Sequence, residues 1–354
     1  DIDIVDSFIT GGHNGAESHL IGGSSGGSNI RIINNTLYGL GTAINVLLGG
    51  ARPQERGQHY RGVYILNNYS LKLWSGRYRA LAGVPSGTCR YDTFVWTSVT
   101  SGDGEWYLNT SDSNPATNSY HCVSGTWQNV AKATMDAFLF AMKADKNNLE
   151  CKNCLGVVFE GNILDGGWVY PNYQSQKGAA FLLNLSDNAV PLGNGESGAT
   201  DEPRSMNRDI RIAYNVIRHA GKGVAQASVI DNVTVGRPCN LSSLNPLISC
   251  SYVLKTKATI EDNLWFDINA DDMTLSPLLP PEWGVIQIPN ASGGGEAKAP
   301  MGRYGFNHNT YTRGRSSSSG AVFNLDGTTA TYGKWMIRDN IIDAEKYPFI
   351  DAWS

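Results

Sequence analysis

Seven stretches of this chain repeat one arrangement of apolar and polar positions: IRIINNTL, VYILNNYS, VVFEGNIL, IRIAYNVI, ATIEDNLW, YGFNHNTY and WMIRDNII. They align on Asn35, Asn68, Asn162, Asn215, Asn263, Asn309 and Asn340. Three residues before each marker stand Ile32, Ile65, Phe159, Ile212, Ile260, Phe306 and Ile337. Five before stand Ile30, Val63, Val157, Ile210, Ala258, Tyr304 and Trp335. Two after stand Leu37, Ser70, Leu164, Ile217, Trp265, Tyr311 and Ile342, so Ser70 alone breaks the apolar columns. The opening Ile2, Ile4, Ser7 and Ile9 read as a further copy with Ser at the turn.

Alternation over so few residues predicts a short strand with one buried face, and the marker then redirects the chain into another strand. Asn suits such a corner: it tolerates left-handed backbone, its amide bonds to nearby peptide groups, and stacked copies can form a ladder. A sandwich of β-hairpins would need tight turns with complementary strands close by, and those partners are missing. A second set of strands is expected between the markers, at 18–21, 43–48, 138–142, 181–185, 224–227, 285–288 and 322–325. Each repeat is then three short strands with two variable connections, and parallel stacking of such repeats is a solenoid.

Marker intervals run from 28 residues (Ser7 to Asn35) to 94 (Asn68 to Asn162). The excess over a bare coil of about 20–30 residues belongs in loops, and repeat-by-repeat insertions often gather on a binding face. The longest, about 75–134, is expected to fold as a small β module carrying GDGEWYLNT and YHCVSGTWQ.

Composition supports this picture. Forty Gly, 9 Trp and 16 Tyr with 17% charged residues describe a globular, turn-rich β chain. A net charge of −4 gives no electrostatic footprint for nucleic acid, and no apolar run is long enough to span a membrane as a helix. Six cysteines fall into three local pairs, Cys89 with Cys122, Cys151 with Cys154 and Cys239 with Cys250, as expected of a secreted or cell-surface protein. Cys151 and Cys154 have no second CxxC or His pair to complete a zinc site. Sequons stand at Asn34, Asn68, Asn109, Asn184, Asn232, Asn240 and Asn290, and matter only in a eukaryotic secretory route. The sequence opens at Asp1, as a processed or trimmed chain would.

The FEGN, IRDN and IEDN turns, GGA at 49–51 and VVFEGNILDGGW at 157–168 resemble pectate-lyase-like β-helix proteins of bacteria. The likeness covers most of residues 1–354 outside the insertion. It implies an all-β, right-handed, single-stranded parallel β-helix of about eight coils with long loop insertions. That superfamily holds polysaccharide lyases, glycoside hydrolases, phage tailspikes and adhesins, so the resemblance implies a glycan along one sheet without choosing an activity.

If Ile44, Phe140, Leu183, Ile286 and Phe323 point inward, alternation turns Asn45, Lys143, Asn184, Gln287 and Asn324 outward, with Gln226 beside them. Amides can bond sugar hydroxyls as donor and acceptor, and Trp168, Tyr173 and Trp283 could stack on sugar rings or simply pack on the wall. Acids are sparse there: Asp326, Asp187 and the base Lys143 are the catalytic candidates, while a hydrolase needs two carboxylates and a lyase a base with a way to neutralise a uronate. No metal site or cofactor is expected, Ca²⁺ entering only for a lyase. His19 with Glu17, and Arg218 with His219, read as surface pairs. The expected function is polysaccharide binding, with processing by loop-borne acids as one alternative. A structural or adhesive subunit meeting other subunits through open solenoid ends is the other.

Overall fold

The structure is a computed structural model that describes residues 1–11, 19–23, 26–39, 44–49, 60–72, 78–89, 106–135, 147–152, 154–167, 178–187, 207–230, 257–268, 286–288, 297–298, 303–312, 322–326, 335–343 and 350–353. These residues form three long sheets in which neighbours along the stack run parallel, and a separate sheet of four strands.

The chain visits the three sheets in a fixed order. The first holds Ile2–Val5, Gly27–Ile33, Tyr60–Leu66, Cys154–Glu160, Arg208–Ala213, Lys257–Glu261, Arg303–Asn307 and Trp335–Arg338. The second holds Phe8–Gly11, Thr36–Gly39, Tyr69–Lys72, Ile163–Gly167, Val216–Ala220, Leu264–Ile268, Thr310–Thr312 and Ile341–Ile342. The third holds His19–Gly23, Ile44–Leu48, Asn147–Cys151, Ala179–Asp187, Lys222–Ile230, Ile286–Ile288, Phe323–Asp326 and Ile350–Trp353, with Ala297–Lys298 added antiparallel to Lys222–Ile230. Successive rounds stack in register, as with Ile32 on Ile65, Leu37 on Ser70 and Val46 on Leu149. One continuous core takes side chains from all three sheets, among them Ile32, Leu37, Val46, Phe159, Leu164 and Phe181.

The aligned asparagines form the corner between the first and second sheets. The backbone N–H groups of Asn35, Asn68, Asn162, Asn215, Asn263 and Asn309 each donate to the Oδ1 of the next marker, at 2.7 to 3.1 Å. Each Nδ2 donates to that same oxygen and also to a carbonyl one round behind, such as Asn162 to Ile65 O and Asn215 to Phe159 O. The ladder therefore uses both lone pairs of Oδ1 and both amide protons, which is what permits burial of so polar a column. Ser7 starts it, its backbone N–H donating to Asn35 Oδ1 at 3.0 Å.

The left-handed residue of the corner is not the marker. It is the residue before it: Asp6, Asn34, Asn67, Tyr214, Asp262, His308 and Asp339 have φ between 51° and 56°, and Gly161 has 67°. The two tasks are divided, one residue bending the chain and the next bonding along the stack. Gly161 is required for space as well, since a Cβ there would lie 2.2 Å from Asn67 Oδ1.

The break at Ser70 has a specific cause. Ser70 Oγ donates to Asn148 Oδ1 at 2.8 Å, and Asn45 Nδ2 donates to Ser70 Oγ at 2.9 Å and Asn148 Oδ1 at 3.2 Å. The polar residue in the column is thus matched by two buried amides from the third sheet. This corrects two expectations. The third-sheet strand of that round is Asn147–Cys151, whereas 138–142 lies outside the described residues. Asn45 is fully buried, so it offers nothing to a ligand.

Cys89–Cys122 and Cys151–Cys154 are disulfides; Cys239 and Cys250 lie outside the described residues. The first ties the insertion, where Tyr78–Leu81, Trp106–Asn109, Ser119–Val123 and Thr126–Val130 make the four-stranded sheet. The second joins a third-sheet strand to the following first-sheet strand, a corner also bridged by Asn207, which accepts from Cys154 N and donates to Cys151 O. Both disulfides fit an oxidising compartment. Among the described residues no helix is long and apolar enough to cross a membrane.

The ladder makes stability position-dependent. Asn215→Ala would strand the buried N–H of Asn162 and carbonyl of Phe159, costing about 3 kcal/mol, whereas Asn340→Ala, where water reaches the amide, should cost about 1 kcal/mol. Urea titration of both variants checks this; equal losses would refute a buried cooperative ladder.

Candidate functional site

Where its side chains are described, the outer face of the third sheet is closed to solvent at one outward position. Leu47, Glu150 and Leu182 occupy consecutive rounds at one outward position, and all three are buried. Glu150 accepts from Asn147 Nδ2 at 3.1 Å and pairs with Lys152 at 3.1 Å. In backbone register Gln287 joins this column, paired with Ala225 on one side and Asn324 on the other. Asn184 pairs with Ala227, two residues further along the strand, beyond Gln226. Gln226 stands out of step, level with Leu183 and Cys151, which belong to the core. Asp326 pairs with Trp353 and Asp187 with Ile230. The side chains of Asn184, Asp187, Gln226, Gln287, Asn324 and Asp326 lie outside the described residues, as do Lys143, Trp168, Tyr173 and Trp283 altogether.

The second sheet has a described outer face of a different kind. After each marker the chain alternates out, in, out. The inward residues Leu37, Ser70, Leu164, Ile217, Trp265 and Tyr311 are buried. One outward column is Phe8, Thr36, Tyr69, Ile163, Val216, Leu264, Thr310 and Ile341. The other begins Thr10, Tyr38, Leu71, Asp165, Arg218, Phe266 and Thr312, and Asp343 follows, its N–H bonded to Tyr311 O. Phe8 is 65% exposed, Ile341 70%, and Ile163, Leu264 and Phe266 nearly 40%. Water-facing positions of a strand ordinarily carry polar residues, so a mostly apolar outward column beside a mixed one makes this face the candidate interaction surface.

Besides Asp343 at the end of its column, charge enters this face at one cluster. Register sets Asp165 beside Arg218, whose Nε and Nη2 both donate to Asp165 Oδ2, at 2.9 and 2.7 Å. His219 Nδ1 lies 2.6 Å from Asp165 Oδ1. Neighbours in a regular strand point to opposite faces, yet Arg218 and His219 both reach one carboxylate. The left-handed φ of His219, 52°, breaks the alternation and makes that possible. Such a conformation in a non-Gly residue costs about 1–3 kcal/mol and persists where surrounding contacts over-determine it.

Burial would raise the Asp165 pKa, but the hydrogen bonds of His219 and Arg218, with their charges, outweigh it and hold it below the ordinary carboxylate value. For Arg218, burial works downward while bonds and charge from Asp165 and then Tyr69 raise it. Burial, followed by the Asp165 charge, raises the Tyr69 phenol. The His219 ring meets Phe266 edge-on, 6.3 Å between centroids, so the cluster adjoins an exposed apolar side chain of this face.

Reading Arg218 and His219 as a surface pair therefore missed their shared partner. The available signal was the outward set one and three residues after each marker, where Phe, Tyr, Ile, Leu and Val recur. Other charged groups work as braces between rounds: Arg211 bonds Glu160 and Glu261, and Asn34 bonds Asp6. Among the described residues no group of three His, Cys, Asp or Glu is placed to hold a metal ion.

Since the folded Asp165 pKa is depressed, its contribution is present above the unfolded value of about 3.9 and is lost as pH falls through the lower folded value. Asp165→Asn should cost about 2 kcal/mol at pH 7, the scale of a hydrogen bond to a charged group. Urea titrations of both proteins should converge as pH falls from about 4 toward 2. A gap that persists at pH 2 would contradict the ion cluster. Comparison with protein-family models, with curated proteins and with solved structures returns no match.

Proposed function

We propose that this protein is a secreted or cell-surface, right-handed parallel β-helix that binds polysaccharide lengthwise along the outer face of its second sheet. The observation that carries the reading is the pair of outward columns, with aromatic rings at Phe8, Tyr38, Tyr69 and Phe266 among aliphatic side chains. The reading keeps the glycan and the sheet-face mode of binding suggested by the resemblance, and moves the face away from the third sheet. Two local disulfides support the export part of it.

Dimensions favour a linear ligand. Eight rungs at about 4.8 Å give a strip about 34 Å long, and two columns two residues apart make it about 10 Å across. A stable protein partner covers about 800 Å² on each side, more than twice such a footprint. An extended sugar chain is long and narrow, and the rung spacing is close to the rise of one hexose. Aromatic side chains stack on the C–H faces of sugars, and Tyr and Thr hydroxyls bond the ring edges as donors and acceptors.

The test is a glycan array probed with the full chain and with Phe8→Ala/Phe266→Ala, whose exposed side chains can be removed without opening the core. Retained glycans should be bound at least tenfold more weakly by the variant, with an unchanged melting temperature. No retention of any glycan, together with concentration-dependent self-association in sedimentation, would replace this reading with a structural subunit.

A further inference from the structure

We infer that the polysaccharide held on the second-sheet face is uncharged, a neutral glycan with apolar ring faces, and not a polyuronate or a sulfated chain. This rests on the reading above and adds the ligand class.

The argument is one of charge. Among the described residues of the two outward columns, Arg218 is the one cation, and both its Nε and its Nη2 are already committed to Asp165. Asp343, exposed at the end of the same column, adds a negative charge. His219 shares Asp165 with Arg218, so a protonated His219 leaves that cluster one positive charge in excess, which Asp343 offsets across the face. The four groups then sum to zero, and with His219 neutral the face is slightly acidic. A polyanion needs a row of cations at its own charge spacing. Here its carboxylates or sulfates would lie on Ile163, Val216 and Leu264, losing hydration with nothing to replace it. A neutral chain meets no such penalty. Its C–H faces find rings and aliphatic side chains, and its hydroxyls find Thr and Tyr.

Salt distinguishes the two classes. Contacts between exposed charges weaken as ionic strength rises, whereas stacking and neutral hydrogen bonds do not. The experiment is affinity electrophoresis and calorimetry of the full chain with cello-, xylo-, manno- and chito-oligosaccharides on one side. Polygalacturonate, alginate and chondroitin sulfate form the other, each at low and high sodium chloride. The expected result is binding to at least one neutral series, with Kd changing less than twofold with salt and no retention by the polyanions. Tyr38→Ala should weaken that binding at least tenfold, with circular dichroism confirming an unchanged fold. Retention by polyanions that fades with salt would overturn this inference and leave glycan binding standing. Neutral binding indifferent to Tyr38→Ala and to Phe266→Ala would also overturn it, by removing the ligand from this face. Binding of no glycan would sink the reading on which it rests.

Discussion

Every round of this chain must turn a corner without leaving buried peptide groups unpaired, and the stacked asparagines solve that problem. A corner interrupts the ordinary strand ladder, so its N–H and C=O groups need other partners or water. Each marker Asn supplies one acceptor for two donors of the marker before it, and its own amide donates both to the next marker and to a carbonyl one round behind. Once that column is in place, the residues on either side have no freedom of register. Strands before the corner align in the first sheet and strands after it in the second, and both outer faces become arrays repeated at rung spacing.

The same constraint explains where polar residues sit. Ser70 occupies a core column and is tolerated because Asn45 and Asn148 meet it inside. Asp165 is nearly buried on an outer face because Arg218 and His219 close over it. Asn45, Arg218 and His219 come from neighbouring rounds, and Asn148, though of Ser70's own round, is 78 residues from it. An interior or a surface built this way has no local signature, because stacking, not sequence proximity, makes the contacts.

That difference decides what was legible beforehand. The marker column was, since Asn recurs at seven corners with apolar residues at fixed offsets on both sides. Most third-sheet strands were, through their apolar runs. Asn147–Cys151 was not, because Asn147, Asn148 and Glu150 read as loop while the apolar 138–142 stretch drew the assignment. Asn45 was turned outward by simple alternation, which fails where a buried amide cluster replaces an apolar side chain. The left-handed corner position was hidden by its variety, Asp, Asn, Gly, Tyr and His serving in turn. The second-sheet face was written in the positions one and three after each marker, whereas the insertions interrupt the sequence on either side of the third-sheet strands. The joint hold of Arg218 and His219 on Asp165 was beyond reach, since it depends on a left-handed His219 and a partner 54 residues away.

Stacked rungs are the premise of both the core and the proposed binding strip, and pulsed dipolar spectroscopy measures them directly. Spin labels at Thr36 and Thr310, which share one outward column, are separated by five rungs. The predicted separation is a narrow distribution near 24 Å between backbones, five steps of about 4.8 Å. A broad distribution, or a mean beyond about 40 Å, would show that these strands do not share a stack at this rung spacing, and the account would fall with it.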